Sequence, residues 1–274
     1  MQKYKLLVTD VDGTLLDHNS KLTELNKRAL LDCIKNGIDV VIATGKSIDS
    51  IMFIIKELNL TLPQITMGGA AIVTANGKVV DVINFPKQLY LEFIQDVRIK
   101  GLEPTIATTD GKIYCREYSE NMKHILNAGE KIIKVDDIES NFFIENAVSI
   151  SIPMLATDPM DSYIRKTFGS VLQVVRSGEY FFDILNLEAS KGNALKKFIK
   201  DLGLRKEEVV SFGDSPNDIS LLKESGYKIA VKNSFPELIE IADVIAEENY
   251  NSGLGKTIYT HILNKSITKH QYNL

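Results

Sequence analysis

Four short stretches of the chain carry side chains that could do chemistry together. In Asp10-Val11-Asp12-Gly13-Thr14, two carboxylates stand two residues apart directly after an apolar run. In an extended segment such a pair can point to one side, and Gly13 lets the chain turn tightly without steric cost. Close carboxylates repel, so the pair calls for a cation, a shared proton or strong donors nearby. Thr44-Gly45-Lys46-Ser47 opens a helix, where a hydroxyl and free backbone N–H groups form an anion site. Lys191 follows Ser190 at the start of a later helix and can bring an ammonium group. Gly213-Asp214-Ser215-Pro216-Asn217-Asp218 ends another apolar run with oxygen donors of the kind that suit Mg²⁺, which takes one or two carboxylates plus waters and phosphate. The combined chemistry is an anion held beside a divalent cation.

Each stretch has a plainer reading. The first is also a turn with incidental aspartates. The second is also a Thr cap followed by a Gly turn. A lone lysine on a helix is ordinarily solvated, and a segment rich in Asp, Pro and Asn is what ordinary loops look like. Their order decides between the readings: three fall after strand-like runs and one at a helix start. In open parallel sheets, ligands sit beyond the carboxyl ends of the strands.

The elements that must position these groups are visible as periodicity. Lys5–Thr9 and Ile38–Ala43 read as buried strands. Leu25, Ala29, Leu30, Cys33 and Ile34 recur at helical spacing before Gly37, and Ile48, Ile51, Met52, Ile55 and Leu58 trace a second helix face, with a strand expected at Ile65–Met67. This alternation predicts a doubly wound α/β parallel sheet covered on both faces. Ala71–Val73 and Val79–Val82 flank an Asn76-Gly77 hairpin turn. From about Asn84 to Asn186 the pattern mixes. A helix is expected near Gln88–Lys100, and strands near Thr105–Ala107, Ile113–Cys115, Ala147–Ile152, Leu172–Arg176 and Tyr180–Leu185. Asp158-Pro159 opens a further helix, to Phe168. The regular alternation then resumes: a helix capped by Ser190, a strand at Val209–Phe212, a helix over about Asp218–Ser225, a strand at Lys228–Val231, a helix over Pro236–Ala242 and a strand at Val244–Ile245. The expected division is a core of residues 1–83 and 187–274, with an inserted α+β unit at 84–186 and a frayed tail after Asn264.

Composition excludes several classes. The chain has 274 residues, a formal net charge of −4, and 44% hydrophobic and 25% charged residues, an ordinary globular balance. No basic stripe offers a nucleic-acid surface, and no apolar run reaches the ~20 residues of a membrane span. Cys33 and Cys115 form neither a CxxC pair nor a disulfide framework, so reduced thiols in a cytoplasmic protein are expected. Dinucleotide and P-loop signatures lack their key glycines and lysine. The sequence leaves monomer and homodimer both open.

The four stretches, in this order, resemble the signature motifs of the haloacid-dehalogenase-like (HAD) hydrolases, and the α+β insert between the second and third resembles the cap of the Cof-type phosphatase branch. The resemblance implies a Mg²⁺-dependent phosphatase acting on small phosphorylated metabolites. Asp10 would be the nucleophile that forms an aspartyl-phosphate, and Asp12 the general acid/base. Val11, Thr44, Gly45, Lys191 and Asn217 would surround the phosphate. Asp10, Asp12 (through its carbonyl) and Asp214 would bind the metal, with Asp218 orienting the metal shell or Lys191. The chain departs from the branch at Lys46, where Arg is usual, at Gly68-Gly69-Ala70 and at Lys232-Asn233-Ser234. A phosphomutase with the same phosphoenzyme and a non-catalytic sensor of a phosphorylated metabolite are the rival expectations. His18, His124, His261 and His270 show no ligand spacing; His18 is placed to rim the entrance. Arg116, Arg176 and Tyr180 of the insert are candidate substrate contacts.

Overall fold

The computed structural model describes residues 3–127, 129–155, 157–177 and 179–265. From the tail expected after Asn264, residues 266–274 lie outside the described residues, and His270 with them. The first elements are β1 (Leu6–Thr9), α1 (Glu24–Lys35), β2 (Asp39–Ile42), α2 (Ile48–Leu58), β3 (Gln64–Thr66), β4 (Ala71–Val73) and β5 (Val79–Val82). The middle holds α3 (Lys87–Ile99), β6 (Thr105–Thr108), β7 (Ile113–Cys115), α4 (Met122–Asn127), β8 (Ile132–Lys134), α5 (Asn141–Asn146), β9 (Ala147–Pro153), α6 (Pro159–Phe168), β10 (Leu172–Arg176) and β11 (Phe181–Asn186). The chain returns through α7 (Lys191–Asp201), β12 (Val209–Gly213), α8 (Ile219–Lys223), β13 (Tyr227–Val231), α9 (Pro236–Ile239), β14 (Val244–Ala246) and α10 (Gly253–Thr257).

The main sheet is parallel, in the order β14-β13-β12-β1-β2. Alternation along β1 explains why it is apolar throughout. Leu7 joins a core with Ala29 and Leu30 of α1 and Ile51 and Ile55 of α2, while Leu6 and Val8 pack with Ala194 and Leu195 of α7. Both faces are therefore covered, as continuous apolar strands require. β1 lies between β12 and β2, and the Asp10 amide donates to the Phe212 carbonyl at 3.0 Å. The first and fourth motifs thus leave the sheet side by side.

β3 does not extend this sheet as a full strand. It pairs antiparallel with β4, which pairs with β5, and meets the end of β2 through one parallel bridge, Ala43–Ile65. The helices expected to end at Ser225 and Ala242 stop at Lys223 and Ile239. A 3₁₀ turn, Pro216–Asp218, precedes α8 and keeps the fourth motif tight.

The inserted unit is a six-stranded sheet, β10-β11-β9-β6-β7-β8, antiparallel except for the β7–β8 pair. One face is apolar: Ile106, Ile150, Ile152, Phe182 and Ile184 pack against Tyr90, Phe93 and Val97 of α3 and Ile164 and Phe168 of α6. Asp158 accepts from the Met160 amide at 2.9 Å, the cap that opens α6. α4, α5, β8 and α10 were not anticipated. They run three to six residues, too short for periodicity to stand out. No helix among the described residues is long and apolar enough to cross a membrane.

Candidate active site

Lys191 is the hub of the site. Ser190 caps α7 by accepting from the Asn193 amide at 3.0 Å, which fixes the first turn of that helix. Lys191 Nζ then donates to Asp10 Oδ1 and to Asp218 Oδ1, each at 2.6 Å, and all three side chains are almost wholly shielded from solvent. Burial works against the ammonium form, but the two carboxylates outweigh it and raise the lysine pKa. A buried ion triad of this kind contributes little net stability, and its geometry costs much to break.

Asp218 is held by the turn it belongs to. Its Oδ2 accepts from the amides of Asp214 and Ser215 at 3.0 and 3.1 Å. Asp214 accepts from the hydroxyls of Thr14 at 2.7 Å and Ser215 at 2.9 Å. Gly13 makes this approach possible: a Cβ there would lie 2.4 Å from Asp214 Oδ2, and its φ of +81° is one that side chains disfavour.

The carboxylates of Asp10, Asp214 and Asp218 bring oxygens within 4.8 Å of one another. Burial, with Lys191 opposing and Asp218 and Asp214 adding, pushes Asp10 well above the usual carboxylate range. Burial and the Asp218 charge push Asp214 to about 7. Three carboxylates facing one ammonium leave negative charge uncompensated in a low-dielectric place, and a hard divalent cation with oxygen ligands answers that need. The donor set fits such an ion.

Asp12 turns away from this cluster. Its Oδ2 lies 3.1 Å from Lys46 Nζ, with Lys46 nearly covered and Asp12 partly open to the cleft. Burial raises the Asp12 pKa, with Lys46 opposing. Thr44 Oγ1 accepts from the Lys46 amide at 3.1 Å, shaping the second motif. Val11 has its side chain in the core, and its carbonyl accepts from the amides of Leu15 and Leu16. Asn217 is buried, and its Oδ1 has no hydrogen-bond partner. Asp10, Asp12, Thr44, Gly45, Lys46 and Asn217 all line one cleft of about 850 Å³, whose other wall is the inserted unit.

That second wall holds residues the sequence reading missed. Glu130 accepts from the Ser47 amide at 2.8 Å and from the Ser47 hydroxyl at 2.7 Å, capping α2 from the inserted unit. Thr105, Ser149, Ser151, Ser177 and Asp183 face the same cleft. A signal for two of them exists: Val148-Ser149-Ile150-Ser151-Ile152 alternates apolar and polar, as a strand with one polar face must. Asn233 also braces the site, donating to the Gly13 carbonyl at 2.8 Å.

Other expected contacts are redirected. Arg176 is buried in the inserted unit, bonded to Asp161 at 2.9 Å and to the carbonyls of Met154 and Leu155. It serves packing there and does not line the cleft. Tyr180 stacks on His124 with ring centroids 3.7 Å apart, beside the lining residues Phe181 and Ile125. Arg116 is not among the lining residues. His18 lies edge-on to Tyr250, and His261 meets the Tyr227 hydroxyl at 3.2 Å. Cys33 and Cys115 are buried free thiols.

Fold and site together define a parallel α/β core that carries an acidic cluster around a lysine, with an inserted cap. The chain belongs to the haloacid dehalogenase-like hydrolases, matching that family over residues 7–258. It is 29% identical over 264 residues to the 5-amino-6-(5-phospho-D-ribitylamino)uracil phosphatase YcsE of Bacillus subtilis, covering 94% of this chain and 96% of the relative. It is 26% identical over 279 residues to the phosphatase YwpJ of the same organism, covering 91% and 97%. A solved haloacid dehalogenase-like hydrolase from Bacillus subtilis superposes with a TM-score of 0.85 at 23% identity, over 94% of this chain and 99% of that one. That likeness establishes the fold, and the relatives place the chain among the phosphatases of the superfamily.

Proposed function

We propose that the protein hydrolyses small phosphomonoesters with Mg²⁺, through an aspartyl-phosphate on Asp10. The observation that carries this reading is the convergence of Asp10, Asp214, Asp218 and Lys191 at the floor of a cleft that also receives Asp12, Thr44, Gly45 and Asn217. Mg²⁺ held by Asp10 and Asp214, with the Asp12 carbonyl, would neutralise charge on the phosphoryl oxygens. Asp10 attacks phosphorus, and the ester oxygen leaves with a proton from Asp12. Asp12 then takes a proton from water, whose oxygen attacks the same phosphorus, releasing phosphate and freeing Asp10. Lys191, the Thr44 hydroxyl, the amides of Val11 and Gly45 and the Asn217 side chain would compensate the transferred charge, and Asp218 holds Lys191 in place. This divides one displacement into two steps served by preorganised groups. In this reading residues 84–186 form a cap over a core of 1–83 and 187–274, and closure excludes bulk water.

The test is hydrolysis of p-nitrophenyl phosphate and a panel of phosphorylated metabolites, with and without Mg²⁺. Turnover should require the metal and fall about 10³-fold or more in Asp10→Asn, with Asp12→Asn losing about 10²–10⁴-fold. Metal-independent turnover, or an active Asp10→Asn, would overturn the reading.

A further inference from the structure

The cap wall of the cleft has a chemical character of its own. On β11, β9 and β6 the residues Asp183, Ser151 and Thr105 stand directly opposite one another across the strands. All three point to the face away from the apolar core of the cap, and with Ser149 and Ser177 they line the cleft. We propose that this face is an acceptor subsite centred on Asp183, which binds the hydroxyl groups of an uncharged polyhydroxy leaving alcohol and turns away esters that carry a second phosphate. The proposal rests on the phosphatase reading and names its substrate class.

Asp183 is the residue that sets this character. It accepts from the Ser177 hydroxyl and from the Ser151 side chain. Among the described residues it has no ion pair. A carboxylate offers about four lone-pair sites, so two serine donors leave acceptor capacity facing the cleft. Burial raises its pKa, with the two serine bonds opposing. Uncharged hydroxyl donors from a substrate satisfy such a group without bringing further negative charge beside it.

Its position fixes what part of a substrate it meets. A Cβ built on Gly45 would lie 3.8 Å from Asp183 Oδ2. The carboxylate therefore stands beside the loop proposed to hold the phosphoryl group, within reach of hydroxyls close to the ester oxygen. Glu130 adds a second carboxylate to the same wall. Among the described lining residues the only lysine or arginine is Lys46, which belongs to the core and pairs with Asp12. Arg176, in the same cap sheet, spends its guanidinium on Asp161 and backbone carbonyls. A second phosphate placed on this wall would meet two carboxylates and no cation, whereas anion sites ordinarily supply Arg or Lys.

The experiment compares kcat/KM for p-nitrophenyl phosphate, glycerol phosphate, a hexose 6-phosphate and the matching hexose 1,6-bisphosphate in the wild-type protein with Mg²⁺. The better of the two polyhydroxy monophosphates should exceed the bisphosphate by about tenfold or more. Asp183→Asn should lower the ratio of that monophosphate to the aryl phosphate about tenfold, the loss expected for a hydrogen bond to a charged group. Asp183→Lys should raise the bisphosphate relative to the monophosphate. Ser151→Ala, in the same row, carries the expectation of Asp183→Asn should that variant not fold. A bisphosphate used as readily as its monophosphate, or a ratio unmoved by these substitutions, would overturn the subsite while leaving aryl-phosphate turnover intact. Failure of the wild-type protein to hydrolyse any of the four esters would remove the phosphatase reading and the subsite with it.

Discussion

Lys46 Nζ lies 3.1 Å from Asp12 Oδ2, so the lysine standing where the family usually has arginine is bonded to the proposed acid/base. The adjacent Ser47 is bonded to Glu130 of the cap. Two consecutive residues thus tie the start of α2 to the reacting groups on one side and to the cap on the other. Lysine presents a point charge here and not a planar fork, which suits a single carboxylate oxygen.

Replacing Lys46 with Met should lower kcat/KM about tenfold, the order of one charge-assisted hydrogen bond. It should also shift the pH profile. Burial already raises the Asp12 pKa and Lys46 opposes the rise, so losing the cation raises it further. Asp12 must be protonated to release the alcohol. The alkaline limb of kcat/KM therefore moves to higher pH, and an unmoved limb would show that Asp12 is not the group titrating there.

Lys191→Met removes the single positive charge between Asp10 and Asp218. Two buried carboxylates are left facing each other, a change of the kind that costs about 3–5 kcal/mol. Urea unfolding without metal should report that loss. Mg²⁺ should recover part of it by supplying the missing charge. An unchanged urea midpoint would mean that the triad is not a buried ion cluster.

The core and the site floor were legible in the sequence because they obey strong local rules. β1 and β12 are apolar on both faces, and the acidic turns sit at their ends, so Asp10 and Asp214 are placed once the parallel sheet is recognised. The order of the motifs then implicates Thr44, Lys191 and Asp218. The cap wall was less legible. Glu130 sits between two short elements, and nothing local shows that it reaches the amide of Ser47, 83 residues away. Asp183 looks like one polar residue in an apolar strand until the register with Ser151 and Thr105 is known. β3 misled for a related reason: a three-residue strand takes its pairing from its neighbours, and β4 follows at once.

Gly69 directly follows Gly68, one of the departures from the family pattern, and its role is steric. Its φ is +94°, and a Cβ there would lie 2.1 Å from the Ser190 carbonyl carbon, at the start of α7. Gly77 also has a positive φ, +89°, but a Cβ there would meet no atom within 4 Å. Gly77→Ala should therefore cost only the backbone conformation, about 1 kcal/mol. Gly69→Ala adds overpacking of about 1–3 kcal/mol and should also reduce activity, because the displaced Ser190 precedes Lys191. Equal losses of stability in the two variants would refute the close contact.

The last prediction concerns alkaline stability, far from the site. Cys33 on α1 is fully buried among Leu7, Leu30 and Ile258. Burial, with the Asp32 charge adding, raises its thiol from 9.0 to about 12. Between those values the unfolded chain releases the Cys33 proton while the folded chain keeps it. The folded state then binds more protons, so stability must fall as pH rises. Tyr114 and Tyr259, each raised to about 12 chiefly by burial, act in the same direction from pH 10 upward. Urea midpoints should therefore decline between pH 9 and 11 in the wild-type protein. Cys33→Ala starts less stable because a buried side chain is trimmed, but its decline should be shallower by the share of one proton. Parallel declines in the two proteins would mean that the Cys33 thiol ionises in the folded state as readily as in the unfolded chain, which its burial among Leu7, Leu30 and Ile258 does not allow.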